Sequence, residues 1–249
     1  MPRKVNHSLD FAKCAGCWCV SAAALLPLMA AAAPSDKVYT LSSKPGELEG
    51  EVRGGYVYDP GEVDNTQQAY VIDLGYGVTP WWFSELFGQY KKLPDESGKF
   101  HNIGLENIVL LNTPGQHAID VGLYLEYKVA LDSGVPDRIE AGPMLQKRFG
   151  GGQANLNLVA GRDVGGGASS DVSYEYRTQW RQPLADGLDV GVQGFGEFDA
   201  HAPQNWGPAV FGKWDFGGEH LLGYDAALLA GIGGDSPDVI LRWALEYEF

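Results

Sequence analysis

No cysteine follows residue 19, and no uncharged apolar run long enough for a membrane helix follows residue 33. The first absence removes disulfides and thiolate metal centres from everything beyond residue 19. The second argues against a helical membrane protein, whose spans need roughly 18 or more consecutive apolar residues. Basic residues are also scarce: 18 Lys and Arg stand against 32 Asp and Glu, a net charge of -14. A chain so acidic lacks the phosphate-neutralising groups that nucleic-acid binding needs, so no nucleic-acid partner is expected. Beyond residue 33 the histidines are His101, His117, His201 and His220, and none has another ligand type at i+2 or i+4. No metal, cofactor or catalytic site is therefore expected. No G-x-S-x-G occurs, and the GGG runs at Gly150 and Gly165 lack the lysine and helix of a phosphate loop. Ser84 and Ser173 have no histidine near them by segment position, and Ser169 and Ser170 would meet His201 only by chance. An enzyme is not expected.

All three cysteines, Cys14, Cys17 and Cys19, lie in an N-terminal stretch that reads as an export signal. Arg3, Lys4 and Lys13 make a basic start, AALLPLM is an apolar centre, and Ala30 to Ala33 offer a small-residue cleavage site. Cleavage is expected after Ala32, because Pro34 would be a poor first residue. Residues 1–33 hold 3 of the 18 basic and 1 of the 32 acidic residues, so the remainder carries 15 bases, 31 acids and a net charge of -16. Residues 34–47 are polar, with Ser, Lys and Pro, and read as a flexible periplasmic leader or a small plug.

From Leu48 onward the chain alternates with period two in twelve segments: about 48–58, 67–78, 82–92, 103–112, 117–131, 137–149, 152–164, 171–184, 188–199, 206–216, 221–232 and 238–249. A bilayer-crossing strand needs roughly 9–11 residues, whereas strands of globular proteins are usually nearer 5–6. The expected fold is all-β: a transmembrane antiparallel β-barrel of about twelve strands over residues 48–249. The connections alternate in kind. Those near Thr79, Thr113, Gly150, Ala185 and Gly217 are tight; those near Asp59, Leu93, Asp132, Gly165, Ala200 and Gly234 are generally longer and more polar. A bacterial barrel keeps its short turns in the periplasm and its longer loops outside.

The two faces of each segment differ. In the last one, Val239, Leu241, Trp243, Leu245, Tyr247 and Phe249 share a face opposite Arg242, Glu246 and Glu248. A soluble sandwich or lipocalin-like barrel would alternate too, with its apolar face inward. Segment length, loop asymmetry and terminal aromatics favour the membrane. Tyr56, Tyr58, Tyr70 and Tyr127 would form one aromatic girdle, and Phe149, Phe216, Tyr247 and Phe249 the other. Lys147 and Arg162 interrupt the apolar faces only near segment ends, within reach of the interface.

The same alternation aims Asp73, Glu85, Asp120, Glu126, Glu140, Glu175, Arg177, Arg181, Glu197, Lys213, Asp225 and Arg242 at the lumen, with Glu49, Glu51, Arg53, Lys128, Arg148, Asp189, Asp215, Glu246 and Glu248. Acids outnumber bases there. Inward Phe83, Phe87, Tyr124, Phe195 and Phe211 narrow any path. If Leu184 pairs with Leu188, Glu175 faces Glu197, and Arg177 is placed to bridge both.

The terminal strand, ending Tyr247-Glu248-Phe249, resembles the last strand of bacterial outer-membrane proteins, in which a C-terminal aromatic is read by the barrel-assembly machinery. TPWWFSEL, LENIVLLNTPGQ, IEAGPMLQKRFG and GVQGFGEF resemble a group of poorly characterised proteobacterial porin- or transporter-like barrels. Some of that group carry a transport role linked to phenol and other aromatic-compound breakdown. The resemblance implies an outer-membrane location, contact with lipid and lipopolysaccharide, and recognition of Phe249 by the assembly machinery. It supplies no site residues. Two functions compete. One is a narrow channel or transporter for small solutes, cationic or aromatic, through an acidic lumen. The other is a non-transporting barrel with structural or interaction roles, its lumen closed by salt bridges.

Overall fold

The computed structural model describes residues 34–60, 67–93, 97–199, 202–217, 220–233 and 236–249. The expected export signal, 1–33, lies outside the described residues. The strands are β1 (Leu48–Tyr58), β2 (Gln68–Thr79), β3 (Trp82–Lys92), β4 (Lys99–Leu110), β5 (Asp120–Ala130) and β6 (Asp137–Phe149). They continue as β7 (Gly152–Val164), β8 (Val172–Ala185), β9 (Leu188–Glu197), β10 (Gln204–Gly217), β11 (His220–Gly231) and β12 (Val239–Glu248). Each pairs antiparallel with its chain neighbours, and β1 pairs with β12 to close the barrel. Closure leaves no unpaired strand edge, which is what hydrocarbon surroundings require.

Most boundaries fall within a residue or two of the alternation. The fourth and fifth strands depart most: β4 starts at Lys99 and ends at Leu110, and β5 starts only at Asp120. Their connection is therefore not a tight turn. Asn112 takes over from the backbone ladder there. Its Nδ2 donates to the Ile119 carbonyl (3.1 Å), and its Oδ1 accepts from the Val121 amide (3.0 Å). The remaining described turns of that end are short. Gly150 and Gly151 join β6 to β7 with φ of 54° and 81°, the positive values a two-residue hairpin of matching twist demands. At the β8–β9 turn a bulge between Pro183 and Ala185 lets Ala185, not Leu184, face Leu188. Beyond the bulge Arg177 pairs with Phe195 and Glu175 with Glu197.

The wall is apolar outside and polar inside. Ile72, Leu74 and Leu86 are each more than half exposed, whereas Glu85, Glu106 and Arg242 are no more than 2% exposed. A water-soluble barrel needs the reverse; an outward apolar band flanked by aromatics is what a bilayer solvates. Tyr58 and Tyr127 are exposed toward the loop end, and Phe149, Phe216 and Phe249 toward the turn end.

Candidate functional site: the lumen

Residues 34–47 run through the barrel rather than outside it. Near the loop end the Ser35 carbonyl accepts from Arg53 Nε (3.0 Å), and the Asp36 carbonyl accepts from Arg242 Nη2. Midway, Asn157 grips both main-chain groups of Tyr39: Oδ1 accepts from its amide (2.8 Å) and Nδ2 donates to its carbonyl (3.2 Å). The Leu41 amide donates to Gln146 Oε1 (3.1 Å). At the turn end Ser43 Oγ donates to the Thr79 carbonyl (2.6 Å), and the Gly46 amide to that of Gly77 (2.8 Å). Bound this way, the segment is extended and its side chains alternate. Val38 buries among Val57, Phe195, Ala209, Phe211, Leu229 and neighbours. Tyr39 and Leu41 bury among Phe83, Ile108, Leu110, Tyr124, Met144 and Val159. The inward aromatics that sequence alone reads as constrictions thus include the walls of these slots. Gly122 leaves room for Leu41: a Cβ there would lie 2.4 Å from Leu41 Cδ2.

The surrounding lumen carries clusters of charge and a row of amides. Across β12, β1 and β2 the register opposes Glu246 to Glu51 and Glu51 to Asp73. From β3 to β6 it opposes Glu85 to Glu106, Glu106 to Glu126 and Glu126 to Glu140. Like charges directly opposite repel, so bases must lie among them. Arg53 Nη1 meets Glu51 (2.6 Å) and Asp73 (2.5 Å), and Nη2 approaches Glu106 (3.5 Å). Lys128 pairs with Glu126 and Glu140, and Arg138 with Glu140, Asp163 and Glu175. The leader adds Lys37, whose Nζ lies 3.2 Å from Glu51 and 2.8 Å from Glu85. Buried carboxylate oxygens on Asp73, Glu85 and Glu106 still have no hydrogen-bond partner.

Toward the turn end from that ion cluster, β6 to β9 also carry a row of amides. Gln193 donates to Gln179 (3.3 Å), Gln179 to Asn155 (3.3 Å), and Asn155 to Gln146 (2.9 Å). The row continues to Arg242, whose guanidinium donates to Gln193 and lies 4.5 Å from the Phe195 ring centroid. Amides bind main chain by donating and accepting at once. The leader meets amides through the backbone of Tyr39 and Leu41, and the charged cluster through Lys37 and the Ser35 carbonyl.

Toward the turn end the lumen widens into a cavity of about 470 Å³, lined by the leader together with Glu49, Glu246, Asp225, Arg181 and Lys213 among others. Of the residues that alternation aims inward, Asp73, Glu85, Asp120, Glu126, Glu140, Arg177 and Arg242 are buried in the lumen. Glu175 meets Arg177 (3.3 Å) and Glu197 lies nearby, toward the loop end. Arg177 does not bridge Glu175 and Glu197, however. Its Nη2 reaches Glu140 (3.2 Å) and Glu175, and Glu197 Oε1 is left without a partner. Gly161, which pairs with Glu140 and Ser173, leaves its side-chain space to Arg138, whose Nη2 would lie 2.2 Å from a Cβ there. Glu106 and Arg138, absent from the alternation-based lumen set, belong to it, as does Lys37.

Among the described residues, no histidine pairs with the strand serines. Ser173 Oγ accepts from Arg138 Nη2 (2.6 Å), and Ser84 Oγ donates to the Glu106 carbonyl (3.3 Å). His101 lies in β4, not in a loop, and its Nδ1 meets Asp132 (2.8 Å). The hydrogen bond from Lys99, with His101 beside it, holds the Asp132 carboxyl below its usual range. His117 lies in the β4–β5 connection, His220 stacks on Tyr247, and His201 lies outside the described residues.

The chain matches no protein-family profile and no curated sequence. Solved structures do resemble it. An outer-membrane channel from Pseudomonas putida F1 aligns over 86% of this chain and 98% of its own, with a TM-score of 0.58 and 14% identity. The Acinetobacter baumannii outer-membrane protein Omp33 aligns over 83% and 100%, with a TM-score of 0.42 and 13% identity. A porin of Rhodopseudomonas blastica aligns over 81% and 99%, with a TM-score of 0.31 and 9% identity. At such identities the first likeness is one of fold: the chain is built as outer-membrane channel barrels are.

Proposed function

We propose that this protein is an outer-membrane channel for small solutes, with a cation-favouring lumen that its own residues 34–47 obstruct. The observation that carries the reading is the inverted barrel: an apolar exterior around an acid-rich interior. Surplus fixed acid along a narrow path raises the local cation concentration and lowers the barrier to positive solutes. Its role is passive, with no reaction assigned to the lumen. A reversal potential measured in planar bilayers under a KCl gradient should lie toward that of potassium. A chloride-side reversal would refute the acidic path.

The second reading, a non-transporting barrel, is favoured by the ion clusters that tie β1–β4 and β5–β8 across the lumen. Complete absence of openings, with or without the leader seated, would favour it.

In the outer membrane the turn end faces the periplasm. Ser97→Cys, in the β3–β4 connection, should label with an impermeant thiol reagent on intact cells, and Asp186→Cys, in the β8–β9 turn, should not. Equal labelling would reverse or abolish this orientation. Glu62, the other loop position suited to this test, lies outside the described residues.

Phe249 is exposed at the wall, its amide donates to the Leu48 carbonyl (2.9 Å), and its ring sits edge-on to Tyr247. It thus completes the seam where β12 meets β1. As the aromatic that the assembly machinery would read, Phe249→Ser should cut the heat-modifiable folded form several-fold while leaving export intact. Normal amounts of folded barrel would remove Phe249 from that role.

A further inference from the structure

The contacts between leader and lumen have the form of peptide recognition. Four consecutive lumen groups address main chain rather than side chain: Arg53 the Ser35 carbonyl, Arg242 the Asp36 carbonyl, Asn157 both groups of Tyr39, and Gln146 the Leu41 amide. Such contacts fit any extended polypeptide, as main-chain pairing does when a peptide adds to a sheet edge. Selectivity comes from three side-chain sites. Lys37 enters between Glu51 and Glu85, Val38 enters one apolar slot, and Tyr39 and Leu41 enter a second. There Tyr39 packs on Tyr124 with ring centroids 4.6 Å apart. Asn157 is fully buried, and both its amide atoms are committed to Tyr39. With the leader gone, the Asn157 amide would lose both of these partners, which costs free energy unless another ligand supplies them.

We propose that the lumen is a binding site for free, short, extended peptides with a lysine two residues before an aromatic and an aliphatic residue two beyond it, and that residues 35–41 occupy it as a tethered stand-in. The proposal rests on the leader being displaceable, as in the channel reading, and names a solute class for it. The tether sets the competition: a segment joined by a short linker has an effective concentration on the order of millimolar, so an untethered peptide binds measurably only where the leader's fit is spoiled.

The test uses the full chain carrying Lys37→Glu, Tyr39→Ser and Leu41→Ser, titrated with the synthetic peptide PSDKVYTLSS, residues 34–43. Saturable binding is expected, at least about tenfold tighter than to the unaltered chain. Methylating the peptide's Tyr39 and Leu41 nitrogens should weaken it about tenfold or more, since both amide donors are lost. Exchanging its lysine for glutamate should do likewise. Equal binding by the reversed-sequence peptide, or none by PSDKVYTLSS, overturns the proposal. If the triple variant does not fold, the unaltered chain serves, with millimolar peptide carrying a photoreactive group at the Tyr39 position. Adducts on Tyr124 or Met144 support the site; adducts elsewhere, or none, refute it. Channel openings without peptide binding would sink this inference and leave the channel reading intact. Binding without openings would do the opposite.

Discussion

Arg53→Ala should lower the midpoint of thermal unfolding sharply, with the heat-modifiable band lost at a clearly lower temperature than in the unaltered protein. Arg53 is 3% exposed and its guanidinium meets Glu51, Asp73 and Glu106 while its Nε holds the Ser35 carbonyl. Glu51 and Asp73 are direct cross-strand partners, so without the guanidinium they oppose one another with Lys37 alone near Glu51. Removing one partner from a buried ion cluster costs about 3–5 kcal/mol. Lys37 still neutralises Glu51, which places the expectation at about 3 kcal/mol, the lower end of that range. Acidification should recover part of the loss by protonating the stranded carboxylates. Arg53→Lys should fall between the two, because an ammonium offers no planar fork to three acceptors at once. An unchanged midpoint in Arg53→Ala would mean that the β1–β4 cluster contributes no stability.

Much of this architecture is legible from residue order alone. Strand length and period two give twelve strands and the inward face of each, because a one-residue slip would put charge into lipid. Three things escape that reasoning. Glu106 sits on a strand whose inward face also carries Ile108 and Leu110, which line the slot for Tyr39 and Leu41; with apolar residues on both faces, the alternation fades. The β4–β5 boundary is set by the Asn112 side chain, which no periodicity registers. Arg177 finds Glu140 two strands away rather than a hairpin neighbour, a reach that strand register alone does not fix.

The leader is the fourth case and the most informative. The fourteen residues from 34 to 47 carry no pattern long enough to declare a strand. Their conformation is imposed from outside, by Asn157 at a separation of 118 residues and Gln146 at 105. The wall's own sequence does hint at a partner. A barrel that opposes Glu85, Glu106, Glu126 and Glu140 in succession needs cations to hold it closed. Lys37 supplies one that the strands do not.

The conductance of Lys37→Glu, recorded in planar bilayers beside the unaltered protein, tests the account most directly. In the unaltered barrel the Lys37 ammonium lies between two buried carboxylates and is itself largely buried. A glutamate in its place sets a third negative charge beside them. Two unit charges about 4 Å apart repel by about 4 kcal/mol at an effective dielectric constant near 20. Two such repulsions replace two attractions, a swing larger than the hydrogen bonds from Asn157 and Gln146 supply at roughly 1 kcal/mol each. The leader should leave the upper lumen, and cation-selective openings should rise many-fold in frequency or size. Lys37→Gln, which removes the attraction without adding repulsion, should produce a smaller rise. Indistinguishable records from all three proteins, each shown to be a folded barrel, would contradict the claim that residues 34–47 close an acid-lined path.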